Sequence, residues 1–202
     1  MTLISVVSAK GGQGKSTLSN AIAFATNGAI VTNELHSSMD LIMGERFKKV
    51  ASEAELPELN PEITVIFDGA QGIHQRSTLQ AVERADYILI PVKPEGSGME
   101  ELKRLAWGLG EVPKNKTAVV VMKVVESEYL EIKAQVQEQF PEVKVFWMPN
   151  SHCFEELGDD RFNGQTLHQK SRLKGPSAHR LRTIVLPEFE ALMNYINLPI
   201  SK

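Results

Sequence analysis

The chain has 202 residues, enough for one domain with a substantial hydrophobic core. Its 22 basic and 25 acidic residues give a net charge of −3, which argues against a uniformly basic nucleic-acid-binding surface and against a highly acidic tail. Cys153 is the single cysteine, which excludes an intramolecular disulfide, and every apolar run is shorter than the roughly 18 residues of a membrane span. Because the N-terminal apolar run is short and lacks a basic leader, we expect a cytoplasmic protein. We expect a single domain over residues 1–202, and the glycine-rich motif described next begins by residue 10, which leaves no room for a separate N-terminal DNA-binding domain.

The first predicted strand, residues 3–7, leads into the glycine-rich sequence AKGGQGKST at residues 9–17. A strand, a glycine turn and Lys-Ser-Thr at the start of a helix form a phosphate-binding P-loop, whose backbone N–H groups close around a triphosphate. Lys15 is expected to reach the outer phosphates and the Ser16 hydroxyl to hold Mg²⁺. The predicted nucleotide-binding residues of this loop are Gly11, Gly12, Gln13, Gly14, Lys15, Ser16 and Thr17.

Short β-branched runs then alternate with longer amphipathic segments, the pattern of a mostly parallel, twisted sheet with helices on both faces. The sequence therefore predicts an α/β protein of P-loop NTPase type. The predicted strands cover residues 3–7, 29–32, 64–67, 87–91, 117–124 and 143–148. After the P-loop helix, which Asn27 and Gly28 end, predicted helices lie around residues 41–55, 75–84, 98–110 and 126–139.

The strand at residues 63–67 ends in a carboxylate, Asp68. In P-loop ATPases an aspartate at that place holds the magnesium ion, directly or through water. An acidic residue at a strand end is common, but downstream of a P-loop it indicates a metal ligand. The predicted magnesium ligands are thus Ser16 and Asp68.

The P-loop departs from the usual pattern, because Ala9 stands where a glycine is expected and a second lysine, Lys10, follows it. In both respects it resembles the deviant Walker A motif of the ParA/MinD family of ATPases, and residues 81–92 resemble the family's next helix and strand. The small plasmid-partition ParA proteins are the most similar members. The resemblance implies that Lys10 reaches across a homodimer interface to the nucleotide of the other subunit.

The resemblance also implies a residue that positions the attacking water. Family members carry two acidic residues, spaced one apart, at the end of the second strand, and this chain has Thr32 and Glu34 there. Lys10, Lys15 and Glu34 are therefore the predicted catalytic residues. Either Glu34 fills the role with a shifted backbone or intrinsic hydrolysis is very slow, and the plain alternative is an exposed acidic residue after a strand.

On the base side, the resemblance implies a nucleotide contact from the loop after the last strand, at Pro149 and Asn150, and favours ATP over GTP. Asn150 is equally explained as a turn residue after a proline. Met122, at the end of the preceding strand, is a further candidate for contact with the base.

Between residues 168 and 182 the chain has five basic residues and no acidic one, although the remainder has 17 basic against 25 acidic residues. This is the charge pattern expected for contact with a phosphate backbone, and the resemblance implies non-specific DNA binding by the ATP-bound dimer. A solvated helix face is the alternative. The predicted DNA-binding residues are Lys170, Arg172, Lys174, Arg180 and Arg182.

Residues 184–200 have apolar side chains at helical spacing together with Glu188 and Glu190. A membrane-binding helix would be basic, so we expect this segment to pack in the core.

The leading hypothesis is a slow, partner-stimulated, Mg²⁺-dependent ATPase that drives plasmid or chromosome partition with a centromere-binding or other activating protein. It would be cytoplasmic and associated with the nucleoid when ATP is bound. The alternative is a weakly hydrolysing nucleotide switch or scaffold for conjugation or for positioning a cellular machine. A metabolic relative with cluster cysteines is disfavoured by the single cysteine.

Overall fold

A parallel sheet of seven strands forms the centre of the described structure, a computed structural model covering residues 2–8, 10–34, 43–72, 74–93, 114–151, 167–172 and 174–198. The strands lie in the order β3-β2-β4-β1-β5-β6-β7, and every pairing is parallel. This confirms the predicted α/β class. In chain order they are β1 Thr2–Val6, β2 Ala29–Thr32, β3 Phe47–Lys49, β4 Thr64–Asp68, β5 Tyr87–Val92, β6 Thr117–Val124 and β7 Lys144–Pro149.

Helices connect the strands and cover the sheet. They are α1 Lys15–Thr26, α2 Arg76–Arg84, α3 Glu126–Gln139, α4 Leu167–Ser171, α5 Pro176–Arg180 and α6 Leu186–Tyr195, with a π-helical turn at Leu181–Val185 joining α5 to α6. Short 3₁₀ turns precede β3 and β6, at Gly44–Arg46 and Lys114–Lys116. Within the described ranges, no helix is both long and apolar enough to cross a bilayer.

Both faces of the sheet are buried. Successive side chains of a strand point to opposite faces, so strands that are apolar throughout place apolar side chains on both faces. In β1, Ile4 and Val6 join a core cluster with α1 and α6, whereas Leu3 joins the cluster on the other face. The apolar residues of α6, including Phe189 and Leu192, are buried in the first cluster. Helix α6 therefore packs in the core. This confirms the prediction for residues 184–200, which was made because a membrane-binding helix would be basic.

One predicted helix is wrong. Over its described part, residues 43–55, the chain forms a 3₁₀ turn, the short strand β3 and an irregular stretch instead. Gly44 has φ +53°, which a helix interior does not accommodate, and Phe47 pairs with Ile30 at the edge of the sheet. Strand β3 was absent from the sequence-based prediction. The helix predicted at residues 98–110 lies outside the described residues.

Candidate functional site

The P-loop joins the carboxyl end of the central strand β1 to the start of α1, where open parallel sheets bind ligands. Gly12 and Gly14 have φ of +76° and +96°, which glycine adopts without steric cost. Gly14 is the N-cap of α1 and no side chain caps the helix, so the first N–H groups of α1 are available to an anion.

The loop borders a pocket of about 270 Å³. Three lysines and one glutamate line it, which makes it a site for an anionic ligand. Its lining contains most of the predicted nucleotide-binding residues together with residues from β2, β4, β5 and β6 or the loops after them: Gly11, Gly12, Gly14, Lys15, Ser16, Thr17, Glu34, Gln71, Lys93 and Lys123.

Gln13 has a different role from its neighbours in the P-loop. Its side chain is buried, and its Oε1 accepts a hydrogen bond from the backbone N–H of Lys93 at 2.7 Å. This bond ties the P-loop to the end of β5, 80 residues further along the chain. Sequence reasoning missed Lys93, although its position directly after a strand whose end faces the site could have indicated it.

Asp68 ends β4 and is only 2 % exposed. Its pKa is raised to about 6, chiefly by burial and to a smaller extent by the nearby charge of Glu34, while the Ser16 hydroxyl and the Lys15 ammonium oppose the rise. Its Oδ1 has no hydrogen-bond partner among the described residues. A buried, unsatisfied carboxylate oxygen beside a serine hydroxyl is the hard oxygen donor set that Mg²⁺ prefers. The residues therefore fit the predicted ion.

Glu34 lies beyond the end of β2 and lines the pocket. Its backbone N–H donates to the Thr32 hydroxyl at 3.0 Å, and that hydroxyl donates to the backbone oxygen of Asp68 at 2.7 Å. Thr32 thus ties the strand end that carries Glu34 to the end of β4. The catalytic role of Glu34 stays a prediction.

Lys10 is exposed and does not line the described pocket. Its carbonyl oxygen accepts a hydrogen bond from the Ser8 hydroxyl at 2.7 Å, which fixes the backbone at the start of the loop. Its predicted role across a dimer interface stays a prediction.

The base-side candidates are separated by the fold. Met122 is buried against the P-loop: a Cβ built on Gly14 would lie 3.2 Å from the Met122 Cε. Its contact with a base stays a prediction. Pro149 is buried at the end of β7, and Asn150 is exposed. The pocket lining in the described structure includes none of the three, whereas Lys123, next to Met122, contributes to it.

The basic segment is only partly a surface. Lys170 is 3 % exposed, so its burial argues against the DNA contact predicted for it. Arg172, Lys174, Arg180 and Arg182 are exposed. Arg182 also donates to the backbone oxygen of Ser171 at 2.6 Å, which holds α4 against the π-helical turn.

Arg180 donates a 3.4 Å hydrogen bond to the backbone oxygen of Asn150. The basic segment therefore contacts the loop after β7 directly.

Comparisons with known proteins support the same fold. The chain matches no protein-family model, and no curated protein is significantly similar to it in sequence. An McdA variant from Cyanothece, solved in complex with ATP, superposes with a TM-score of 0.65 at 14 % identity, over 98 % of this chain and 97 % of that one. MinD from Aquifex aeolicus superposes with a TM-score of 0.56 at 19 % identity, over 96 % of this chain and 97 % of that one. A ParA family ATPase from Chlorobium tepidum superposes with a TM-score of 0.54 at 14 % identity, over 92 % of this chain and 99 % of that one. With the P-loop and the seven-stranded parallel sheet, these matches show that the chain has the fold of the ParA/MinD ATPases.

Proposed function

We propose that this chain is a ParA-like ATPase that binds Mg²⁺–ATP, dimerises around it and hydrolyses it slowly. The observation that carries the proposal is the buried Asp68 carboxylate, with an unsatisfied oxygen, beside Ser16 at the start of the P-loop helix. A carboxylate kept buried without a full set of partners destabilises the protein, which is expected where it serves a cation.

The roles of the pocket residues follow from their chemistry. The N–H groups of the P-loop and the start of α1 hold the phosphates, and Lys15 neutralises their outer charge. Ser16 and Asp68 would hold Mg²⁺, which when bound would neutralise charge on the transferring phosphoryl group. Glu34 orients the attacking water and accepts its proton.

Dimerisation would place Lys10 of each subunit against the nucleotide of the other. Its exposure outside its own pocket supports this arrangement. Since triphosphate would then bridge two chains, association would depend on ATP.

The exposed residues Arg172, Lys174, Arg180 and Arg182 support non-specific DNA binding by the dimer. With an activating partner protein, such a cycle would drive partition of plasmid or chromosome. Two copies of a weak patch on one dimer would strengthen the binding.

A switch or scaffold with little hydrolysis is favoured by one observation, the hydroxyl of Thr32 at a place where the family has a carboxylate.

The first test measures oligomeric state by light scattering with ADP, ATP and a non-hydrolysable ATP analogue, together with steady-state hydrolysis. We expect a dimer only with triphosphate. Lys10→Ala should remain monomeric, whereas Lys144→Ala, at an exposed lysine that begins the edge strand β7, should behave as wild type.

Glu34→Ala should form the dimer but lose hydrolysis, on the order of a hundredfold in kcat. A monomer under every nucleotide would refute the proposal. A dimer whose turnover stays at background in wild type would favour the switch or scaffold instead.

A further inference from the structure

Asn33 is a buried polar side chain at the edge of the site with several hydrogen-bond partners. It is 2 % exposed and immediately precedes Glu34, which lines the pocket. Its Oδ1 accepts a hydrogen bond from the backbone N–H of Ala70 at 2.5 Å. Its Nδ2 lies within hydrogen-bond distance of side-chain oxygens of Gln75, Ser77 and Thr78, at 2.5, 3.0 and 3.0 Å.

These partners come from two other segments of the chain. Ala70 belongs to the loop after β4, and the remaining partners belong to the start of α2. The Ser77 hydroxyl donates its own hydrogen to the backbone oxygen of Ser52 at 2.9 Å, so it is free to accept from Asn33. The Asn33 amide has two N–H hydrogens for three nearby acceptors, so it bonds two of them at a time or shares one hydrogen between two, and through Ser77 the network extends to the stretch between β3 and β4.

The position of Asn33 joins two pocket residues. Glu34 is its neighbour in sequence, and Gln71 is the neighbour of Ala70, and both side chains line the pocket. One amide thus fixes the backbone beside Glu34 and the backbone beside Gln71. Because the amide is buried, its hydrogen bonds do not compete with water and cost more to break.

We infer that Asn33 is a positioning residue that holds the Glu34 strand end and the Gln71 loop as one rigid unit, so that hydrolysis depends on it although it touches no substrate. This rests on the proposed ATPase function. A shift of about 1 Å in a reacting group costs roughly a hundredfold in rate, so loosening this unit lowers kcat. The phosphate-binding loop and Lys15 take no part in the network, so KM for ATP changes little.

The test compares wild type with Asn33→Leu, which keeps side-chain length and removes every hydrogen bond, and with Asn33→Asp, which keeps the acceptor for the Ala70 N–H. Thr78→Val is the control, because it removes one member of the network and leaves the bond to Ala70 intact. Asn33→Thr is a second loss variant, with a side chain suited to a strand end, should the leucine variant not fold.

We expect Asn33→Leu to lower kcat about a hundredfold with less than about a threefold change in KM, and to speed hydrogen exchange at the Ala70 amide at least about tenfold. Asn33→Asp should retain the Ala70 protection and recover part of kcat, and Thr78→Val should keep both. A folded Asn33→Leu protein with wild-type kcat overturns the inference alone. A wild-type chain that never hydrolyses ATP overturns the proposed function, and exchange at Ala70 then still reports whether Asn33 holds the loop.

Discussion

Asp68 carries an energetic cost that its proposed role explains. Its pKa of about 6 lies above the ordinary 3.8, because burial disfavours the ionised form. The folded state therefore binds this proton more tightly than the unfolded chain. The contribution of this bound proton to the free energy of unfolding is complete below pH 4, decreases as the pH rises towards 6 and is lost above pH 6.

We therefore expect Asp68→Asn to stabilise the nucleotide-free protein at pH 7.5, by on the order of 2–3 kcal/mol, because the amide carries no charge to desolvate. At pH 4 the gain should nearly vanish. Urea unfolding at both pH values measures it, with Glu142→Gln, at an exposed carboxylate, as the control. The same variant should lose Mg²⁺-dependent stabilisation by ATP. An equal effect at both pH values would contradict this account.

The motif residues of the site could be predicted from sequence, and the residues that hold them could not. The strands before the P-loop and before Asp68 can be recognised from a short run of apolar residues. The positions of Lys15, Ser16 and Asp68 then follow from chain order and parallel pairing. The bond from Lys93 to Gln13 and the bonds of Asn33 join residues 37 to 80 positions apart. No local pattern records such partners.

At the scale of secondary structure, β6 contains an irregularity that aims a side chain into the site. The pairing of β6 with β7 shifts between Met122 and Val124, and Lys123 has φ +59°. A bulge re-aims one side chain, and a left-handed lysine is strained. The strain is consistent with a functional position for Lys123, whose side chain lines the pocket.

Lys123→Asn and Lys123→Val separate charge from backbone strain. Both variants remove the ammonium, and we expect both to weaken ATP binding about tenfold, the loss expected for one charge-assisted hydrogen bond. Asparagine tolerates the left-handed region, so only the valine variant should lose stability, by about 1–2 kcal/mol. Calorimetric titration and thermal unfolding measure the two effects. Unchanged affinity in both variants would remove Lys123 from the site.

The connection between α1 and β2 depends on Gly28. A Cβ there would lie 2.7 Å from the backbone oxygen of Thr64 in β4, which cannot move without disturbing the sheet. Gly28→Ala should therefore destabilise the protein by about 1–3 kcal/mol, as overpacking does. Ala134→Ser, on the exposed side of α3, should cost less than about 0.5 kcal/mol. Denaturant midpoints compare them, and equal midpoints would show that the turn can relax.

The wrong helix at residues 41–55 shows where local pattern failed. The stretch has few strong strand residues, and β3 is only Phe47–Lys49. The conformation of this stretch is decided by the pairing of β3 with β2 and by contacts with α2. The Ser77 N–H donates to the backbone oxygen of Ser52, and the Gln80 side-chain oxygen accepts from the Leu56 N–H. Tertiary contacts therefore override a weak helical pattern here.

For the whole molecule, the distribution of charge predicts how DNA binding should respond to salt. The net charge is −3, but the exposed residues Arg172, Lys174 and Arg180 lie in one basic segment, whose Arg180 contacts the loop after β7. With ATP, affinity for any DNA duplex should fall steeply with salt. Each residue changed to alanine should lower the slope of log K against log salt by about 0.9 for each chain of the dimer.

Fluorescence anisotropy with two unrelated duplexes tests this prediction. Lys144→Ala is the control because that exposed lysine begins β7, at the other end of the strand from the loop that Arg180 contacts. Arg182 is left unchanged, since its bond to Ser171 supports the fold. Wild-type slopes in all three variants would exclude this region as the DNA contact.

Strand β3 has a consequence for behaviour at high concentration. A free sheet edge invites another chain to add a strand, which leads to aggregation. Here the β3 edge is three residues long and carries two exposed lysines, Lys48 and Lys49. Short, charged edges repel strand addition. We therefore expect little edge-to-edge polymerisation at this side, which leaves the proposed nucleotide-dependent dimer as the expected form of self-association.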